Sequence, residues 1–293
     1  MHNFKYYRFT NDDEKPDDST DLSKQLYKVT GHHSNDYIKP VVNPDGDLCT
    51  ILSDESEFKG NYGVCLVMIP FLDINFLNGL EKKLEDLVLQ FGIEKIHFTD
   101  IYGSKQLKNR RDEFIIGYTE IVNQIPKAAL FIGKSREELL IELNEGEMSN
   151  EEIYFTLFWN NFERVITIPN TQNNIYHISF EQEYSLDGKI KNVADITFRK
   201  LYSGIEQLYE KFPDKYISIC KHPHFHSKAA LLYSSLADLA AYIPNKIQQK
   251  IDSGVPKPKI IKIYKSELNL IKTVFQNYSG IGSKELIEII NES

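Results

Sequence analysis

LCTILSDES (48–56), EFKG (57–60) and NYGVCLVMI (61–69) decide how this chain is read. Two apolar, β-branched runs flank a short polar piece, the pattern of neighbouring antiparallel strands joined by a tight turn. On this reading EFKG makes the turn and Asp54 lies at the end of the first strand. Asp and Ser are also ordinary turn residues, so the Asp-Glu-Ser stretch has a structural explanation beside a functional one.

Downstream, Asp73 is placed to cap a helix whose Leu77, Leu80, Leu84, Leu87 and Phe91 share one side and which stops at Gly92. IEKIHF (93–98) has the look of a short strand, residues 107–125 of a helix, and KAALFIG (127–133) of another strand. Two helices follow, SREELLIEL (135–143) and SNEEIYFTLFWNNFERVITI (149–168), the second opening on the capping box Ser149 to Glu152. NIYHISFE (174–181) alternates with period two: Tyr176, Ile178 and Phe180 share one face, His177, Ser179 and Glu181 the other. A long helix over 192–212, a strand KYISICK (215–221), a loop HPHFHSK (222–228) and a helix over 228–242 ended near Pro244 complete the core. The tail from Lys259 adds an extended piece and two short helices. A hairpin followed by alternating strands and helices predicts an α/β fold, a mixed sheet with an antiparallel N-terminal hairpin flanked by helices, which is the plan of RNase H-like folds.

The chain has 293 residues, 41% of them hydrophobic and 12% aromatic, ample for a large core and incompatible with disorder throughout. Three parts are expected: an acidic arm over 1–46, the RNase H-like core over 47–250 and a helical extension over 251–293. The arm carries DDEKPDDSTD without a sustained period. Cys49, Cys65 and Cys220 are odd in number and lack CxxC spacing, so reduced, buried thiols are expected. No apolar leader and no run near the ~20 apolar residues of a membrane span is present, which points to a cytoplasmic protein and away from membranes.

A net charge of -8 opposes phosphate binding, but the charge is segregated. Acidic residues crowd the first 60 positions, whereas basic ones gather at Lys105, Lys108, Arg110 and Arg111 and again from Lys246 to Lys265. Taken singly, each basic run is accounted for by a solvated face.

Three carboxylates stand out. Asp238 is the single charged side chain between Lys228 and Lys246, in a helix apolar on nearly every side and therefore buried. A buried carboxylate is costly unless it is paired, hydrogen-bonded or metal-bound. Hydroxyls such as Ser234 and Ser235 offer it a structural role. Glu181 ends the alternating strand, with Glu183 two residues on. Carboxylates from an early strand, a middle strand and a late helix are the raw material of a two-metal phosphodiester site, for which the hard ions Mg²⁺ or Mn²⁺ suit oxygen ligands.

The same stretches resemble a domain-of-unknown-function family, number thirty-eight hundred, placed in the RNase H-like superfamily. Its members open on a strand ending Asp-Glu-Ser-Gly, pass through a Glu-Ile-His-Ala piece, and close on Ser-Lys followed by Leu-Gln-x-Ala-Asp-Leu. Asp54-Glu55-Ser56, Lys95-Ile96-His97-Phe98, Ser227-Lys228 and Ser234-Ser235-Leu236-Ala237-Asp238-Leu239 correspond to these. Glu57, Lys95 and Ser235 depart from the family's glycine, glutamate and glutamine; Glu94 or Asp100 offers the missing acid. The resemblance covers about residues 48 to 245 and implies nuclease chemistry by analogy of fold.

The resulting expectation is a divalent-metal nuclease acting on DNA or RNA, in phage defence or a mobile element. Asp54, Glu181 and Asp238 would be the metal ligands, with Asp100, His97 or Glu183 assisting and Lys228 nearby. Two other readings stand beside it: a non-catalytic RNase H-like subunit bound to a partner protein of such a system, and a zinc hydrolase built on His222, His224 and His226.

Overall fold

The computed structural model describes residues 48–70, 74–167, 175–181, 218–219, 224–226, 232–275, 281 and 283–293. The expected arm over 1–46 and helix over 192–212 lie outside the described residues. Strands β1 (Leu48–Phe58) and β2 (Asn61–Pro70) pair antiparallel, with Asp54 opposite Cys65 and Phe58 opposite Asn61. Their turn is Lys59–Gly60 alone, with φ of 50° and 84°. Two successive positive φ values mark the tight hairpin turn whose twist matches that of its strands. The reading of EFKG as the turn is thereby corrected. Glu57 and Phe58 extend β1, where the Phe58 ring meets Tyr242 edge-on at 4.9 Å, so Asp54 lies within the strand and not at its end.

β2 pairs antiparallel with β3 (Ala128–Ser135), and β1 pairs parallel with β4 (Ile175–Glu181). Two short strands, β5 (Ser218–Ile219) and β6 (His224–His226), both run parallel to β4. Among the described residues the result is a six-stranded mixed sheet of order β3-β2-β1-β4-β5, with β6 also on β4. His224 to His226, expected in a loop, belong to this sheet because the outer edge of β4 supplies a ladder for them.

The helices are α1 (Ile74–Phe91), α2 (Phe98–Gly103), α3 (Arg111–Val122), α4 (Arg136–Leu143), α5 (Asn150–Thr167), α6 (Ser235–Asp252), α7 (Lys257–Ile263), α8 (Lys265–Val274) and α9 (Lys284–Glu292). They cover both sheet faces. On one face Cys49, Ile51, Val64, Leu66 and Met68 pack on α4 and α5 through Leu139, Ile153, Leu157, Phe158 and Phe162. On the other, Leu52, Cys65, Val67 and Ile69 pack on α1, α2, α3 and the C-terminal helices. Burying each such side chain contributes roughly 1.5–3 kcal/mol. Both capping boxes form: Ser135 with Glu138 and Ser149 with Glu152.

Four further expectations of local structure are corrected. IEKIHF is not a strand: Ile96 and Phe98 are buried, but the chain turns directly into α2. The helix of Asp238 does not end near Pro244. It runs on to Asp252, because the buried Ile243, Asn245 and Ile247 outweigh the hydrogen bond that proline cannot donate. The segment at Lys259 is helical, α7, and buries Ile260. Residues 107–110 form turns, so the helix expected from 107 begins at Arg111.

α6 crosses the hairpin and is hydrogen-bonded to it. Cys65 Sγ donates to the Ala237 carbonyl at 2.8 Å and Ser56 Oγ to the Ala241 carbonyl at 2.8 Å. Asn245 Nδ2 donates to the Ser56 carbonyl at 3.1 Å and to the Asn61 carbonyl at 3.2 Å. Glu81 of α1 accepts from the Leu232 and Tyr233 backbone N–H groups at 2.9 and 2.8 Å, anchoring the 3₁₀ turn Leu232–Ser234 that leads into α6. None of the described helices is long and apolar enough to cross a membrane.

Candidate functional site

Period-two alternation puts Leu52, Asp54 and Ser56 on the α6 side of β1. Asp54 is 8% exposed, and its Oδ1 accepts from the Glu55 N–H at 2.9 Å. Directly across the ladder stands Cys65, whose thiol contacts the carbonyl of Ala237, the residue before Asp238. Asp238 is 4% exposed. Burial raises the Cys65 pKa well above the ordinary thiol value, and the charges of Asp54, Asp238 and Glu55 push it further the same way. Two carboxylates remote in sequence thus act on one buried sulfur, and the structure brings Asp54 and Asp238 to one patch. Like charges so placed disfavour each other until a cation, a proton or donors offset them.

Backbone donors reach both carboxylates. Asp238 Oδ2 accepts from the Phe98 backbone N–H at 2.6 Å, so the carboxylate ties the first turn of α2 to α6. Ser235 is engaged differently from the expectation: its hydroxyl bonds to the Leu232 carbonyl and meets the Tyr118 hydroxyl at 2.7 Å. The charge of Asp238 also acts, after burial, to raise the pKa of Tyr118 and to push that of Tyr242 up to about 12.

Glu181 enters through backbone register. Leu52 pairs with Ser179 and Ser53 with Phe180 in the parallel β1–β4 ladder, so one further step sets Glu181 beside Asp54. Glu181 in turn pairs with His226, and Ser179 with His224. Asp54, Glu181 and His226 therefore occupy one level across three adjacent strands. The side chains of Glu181, His224 and His226 are not among those described, and Glu183, His222 and Lys228 lie outside the described residues. Among the described residues no three His, Cys, Asp or Glu side chains form a group able to hold a metal ion.

His97 and Asp100 flank the same corner. His97 precedes Phe98, and its Nδ1 lies 2.9 Å from Asp100 Oδ2 without meeting the angle of a directed hydrogen bond. Asp100 is 60% exposed and also lies 3.8 Å from Lys95 Nζ. The pair stands at the rim and not in the buried patch. His177, expected at the surface or in packing, is 1% exposed on the α6-facing side of β4. Trp159 packs against the buried cluster of α5, as its helical spacing predicts. Cys49 and Cys65 are buried thiols.

Two members of this corner escaped the sequence reading. Cys65 was legible once Lys59–Gly60 is taken as a two-residue turn, because that register sets it opposite Asp54. The Phe98 N–H bond had no sequence signal, since it joins groups 140 residues apart. No protein-family model matches the chain, and no curated protein matches it.

Proposed function

We propose that the chain is a divalent-metal-dependent phosphodiesterase acting on nucleic acid, with an RNase H-like core and with Asp54, Asp238 and Glu181 as ligands of Mg²⁺ or Mn²⁺. The observation that carries this reading is the convergence of Asp54 and Asp238 on Cys65, both more than nine-tenths buried, with Glu181 at the register level of Asp54. An antiparallel β1-β2-β3 meander, extended by the parallel strand β4 beside β1 and by β5 and β6 on β4, suits this reading. Ionised carboxylates offer only acceptor oxygens, the donor set that hard cations prefer. A divalent ion held there would lower the pKa of a bound water and offset charge on a phosphodiester. The protein's own part is to keep Asp54 fixed in a strand and Asp238 fixed on α6, the Phe98 N–H holding one oxygen of the latter.

The test is cleavage of labelled single-stranded DNA, duplex DNA and RNA by pure protein with Mn²⁺, with Mg²⁺ and with EDTA. Cleavage in the metal samples, lost in EDTA and in Asp54→Asn, is expected. Equal cleavage by Asp54→Asn would overturn the assignment. Failure of Mn²⁺ both to support cleavage and to raise the melting temperature would instead favour a non-catalytic subunit, in which Asp238 serves to tie α2 to α6. Tight zinc binding lost on replacing His224 and His226 would favour the hydrolase alternative.

A further inference from the structure

The two basic runs of the sequence, far apart in the chain, meet around one tyrosine ring. Arg111 Cζ lies 4.5 Å and Lys246 Nζ 3.4 Å from the centroid of the Tyr102 ring. Arg111 donates to the Tyr102 carbonyl at 3.1 Å and Lys246 to the Tyr242 hydroxyl at 3.2 Å. Neither cation has a carboxylate within ion-pair distance among the described residues, and the Nε of Arg111 is buried without a hydrogen-bond partner. Burial lowers the Lys246 pKa to about 8, with the charges of Arg111 and Lys250 acting in the same direction and that of Glu267 against them.

One buried acid offsets this only in part. Glu267, 3% exposed, accepts from the Tyr102 hydroxyl at 2.5 Å. Its pKa is raised, first by burial and further by the charge of Asp112, while the Tyr102 hydrogen bond and the charge of Arg111 act the other way. Cations pressed together with no carboxylate at ion-pair distance are stabilised by an anion from outside the chain.

Position names the anion. Asp238, Tyr242, Lys246 and Lys250 recur every four residues along one side of α6. Tyr242 feels the charge of Asp238 and its ring lies 5.3 Å from that of Tyr102. The eight residues from Asp238 to Lys246 span about 12 Å along the helix. At roughly 3.4 Å of rise per nucleotide in a B-form strand, that is about three to four phosphates.

We infer that Arg111, Lys246 and Lys250 form a backbone-phosphate site for a nucleic-acid strand, offset by a few nucleotides from the Asp54–Asp238 patch. The inference rests on the nucleic-acid reading of that patch but not on cleavage there, since phosphate contacts position a strand whether or not it is cut.

The experiment measures binding in EDTA, by fluorescence anisotropy of labelled 20-nucleotide single-stranded and duplex DNA from about 50 to 300 mM KCl. Wild type is compared with Lys246→Met, Lys246→Arg and the control Lys262→Met, which removes an exposed lysine of α7. Losing one phosphate contact should weaken binding several-fold and lower the slope of log K against log salt by about 0.7 for single strands or 0.9 for duplex. Lys246→Arg should retain affinity and slope, whereas a purely structural lysine would be lost in both Lys246 variants alike. Unchanged affinity and slope in Lys246→Met, an equal loss in Lys262→Met, or no binding by wild type would each overturn the inference. Intact binding behaviour without Mn²⁺-dependent cleavage would sink the phosphodiesterase reading and leave this one standing; cleavage with Lys246→Met binding as wild type would do the reverse.

Discussion

Replacing Asp238 by alanine and by asparagine separates its two duties. Alanine removes the acceptor at 2.6 Å and leaves the Phe98 N–H buried without it. Hydrogen bonds to charged groups contribute about 1.5–3 kcal/mol, so a loss of about 2 kcal/mol is expected after part is returned by removing an anion beside Asp54. For a chain of this size that is a fall of roughly 4–8 °C in Tm. Asparagine keeps an oxygen facing the Phe98 N–H and removes the charge, so its apo stability should stay within about 1 kcal/mol of wild type. Mn²⁺ discriminates further: at a hundred times its Kd it adds about 2.7 kcal/mol to a protein that binds it only when folded. Wild type should gain that increment and Asp238→Asn should lose most of it. The assay is urea unfolding followed by circular dichroism, in EDTA and in Mn²⁺. If Asp238→Asn falls as far as Asp238→Ala in EDTA while answering Mn²⁺ like wild type, the carboxylate is structural and the metal assignment is wrong.

Further expectations concern the frame around the site. Lys127 is 7% exposed and donates to the Val122 and Ile125 carbonyls at 2.7 and 3.0 Å, with burial lowering its pKa to about 8. Between that value and its ordinary pKa the unfolded chain holds the extra proton, so wild-type stability should rise with pH from about 8 to 10.5 relative to Lys127→Met; parallel stability–pH curves would contradict this. A Cβ on Gly63 would stand 2.7 Å from Phe131 Cε2, so Gly63→Ala should cost about 1–3 kcal/mol by thermal melt. Cys49 and Cys65 should resist a thiol reagent at pH 8 and react after urea unfolding; mass mapping that finds Cys65 labelled in the folded protein would refute the raised thiol pKa.

The hairpin, the alternation of β4 and the amphipathic α1 were legible because each follows a local period. Asp238 was recognisable as buried because its helix carries no other charge over two turns on either side. What the sequence hid was decided by partners remote in the chain. His224–His226 forms a strand because β4 offers an edge, and α6 survives Pro244 because its next turn is buried. Ile96 and Phe98 suit a strand by composition, yet they fill a core against helices whose arrival no local window reveals. The basic runs illustrate the same limit: separately each is a plausible solvated face, and only the packing of α2, α3 and α6 joins Arg111 to Lys246.

The seam between α6 and the hairpin also bears on how the protein is made. Ser56 and Ala241, bonded through hydroxyl and carbonyl, are 185 residues apart, and Cys65 and Ala237 are 172 apart. At about 5–20 residues per second of synthesis, the β1–β2 pair waits roughly 10–40 s after its own emergence for the helix that covers Leu52, Cys65 and Val67. Throughout that interval an apolar sheet face is open to solvent and to neighbouring nascent chains, and closure must then bridge a very long loop. Chaperone dependence and inclusion-body formation should therefore respond to elongation rate and to temperature during expression, and co-expression of the segment from residue 232 onward as a separate chain should relieve them.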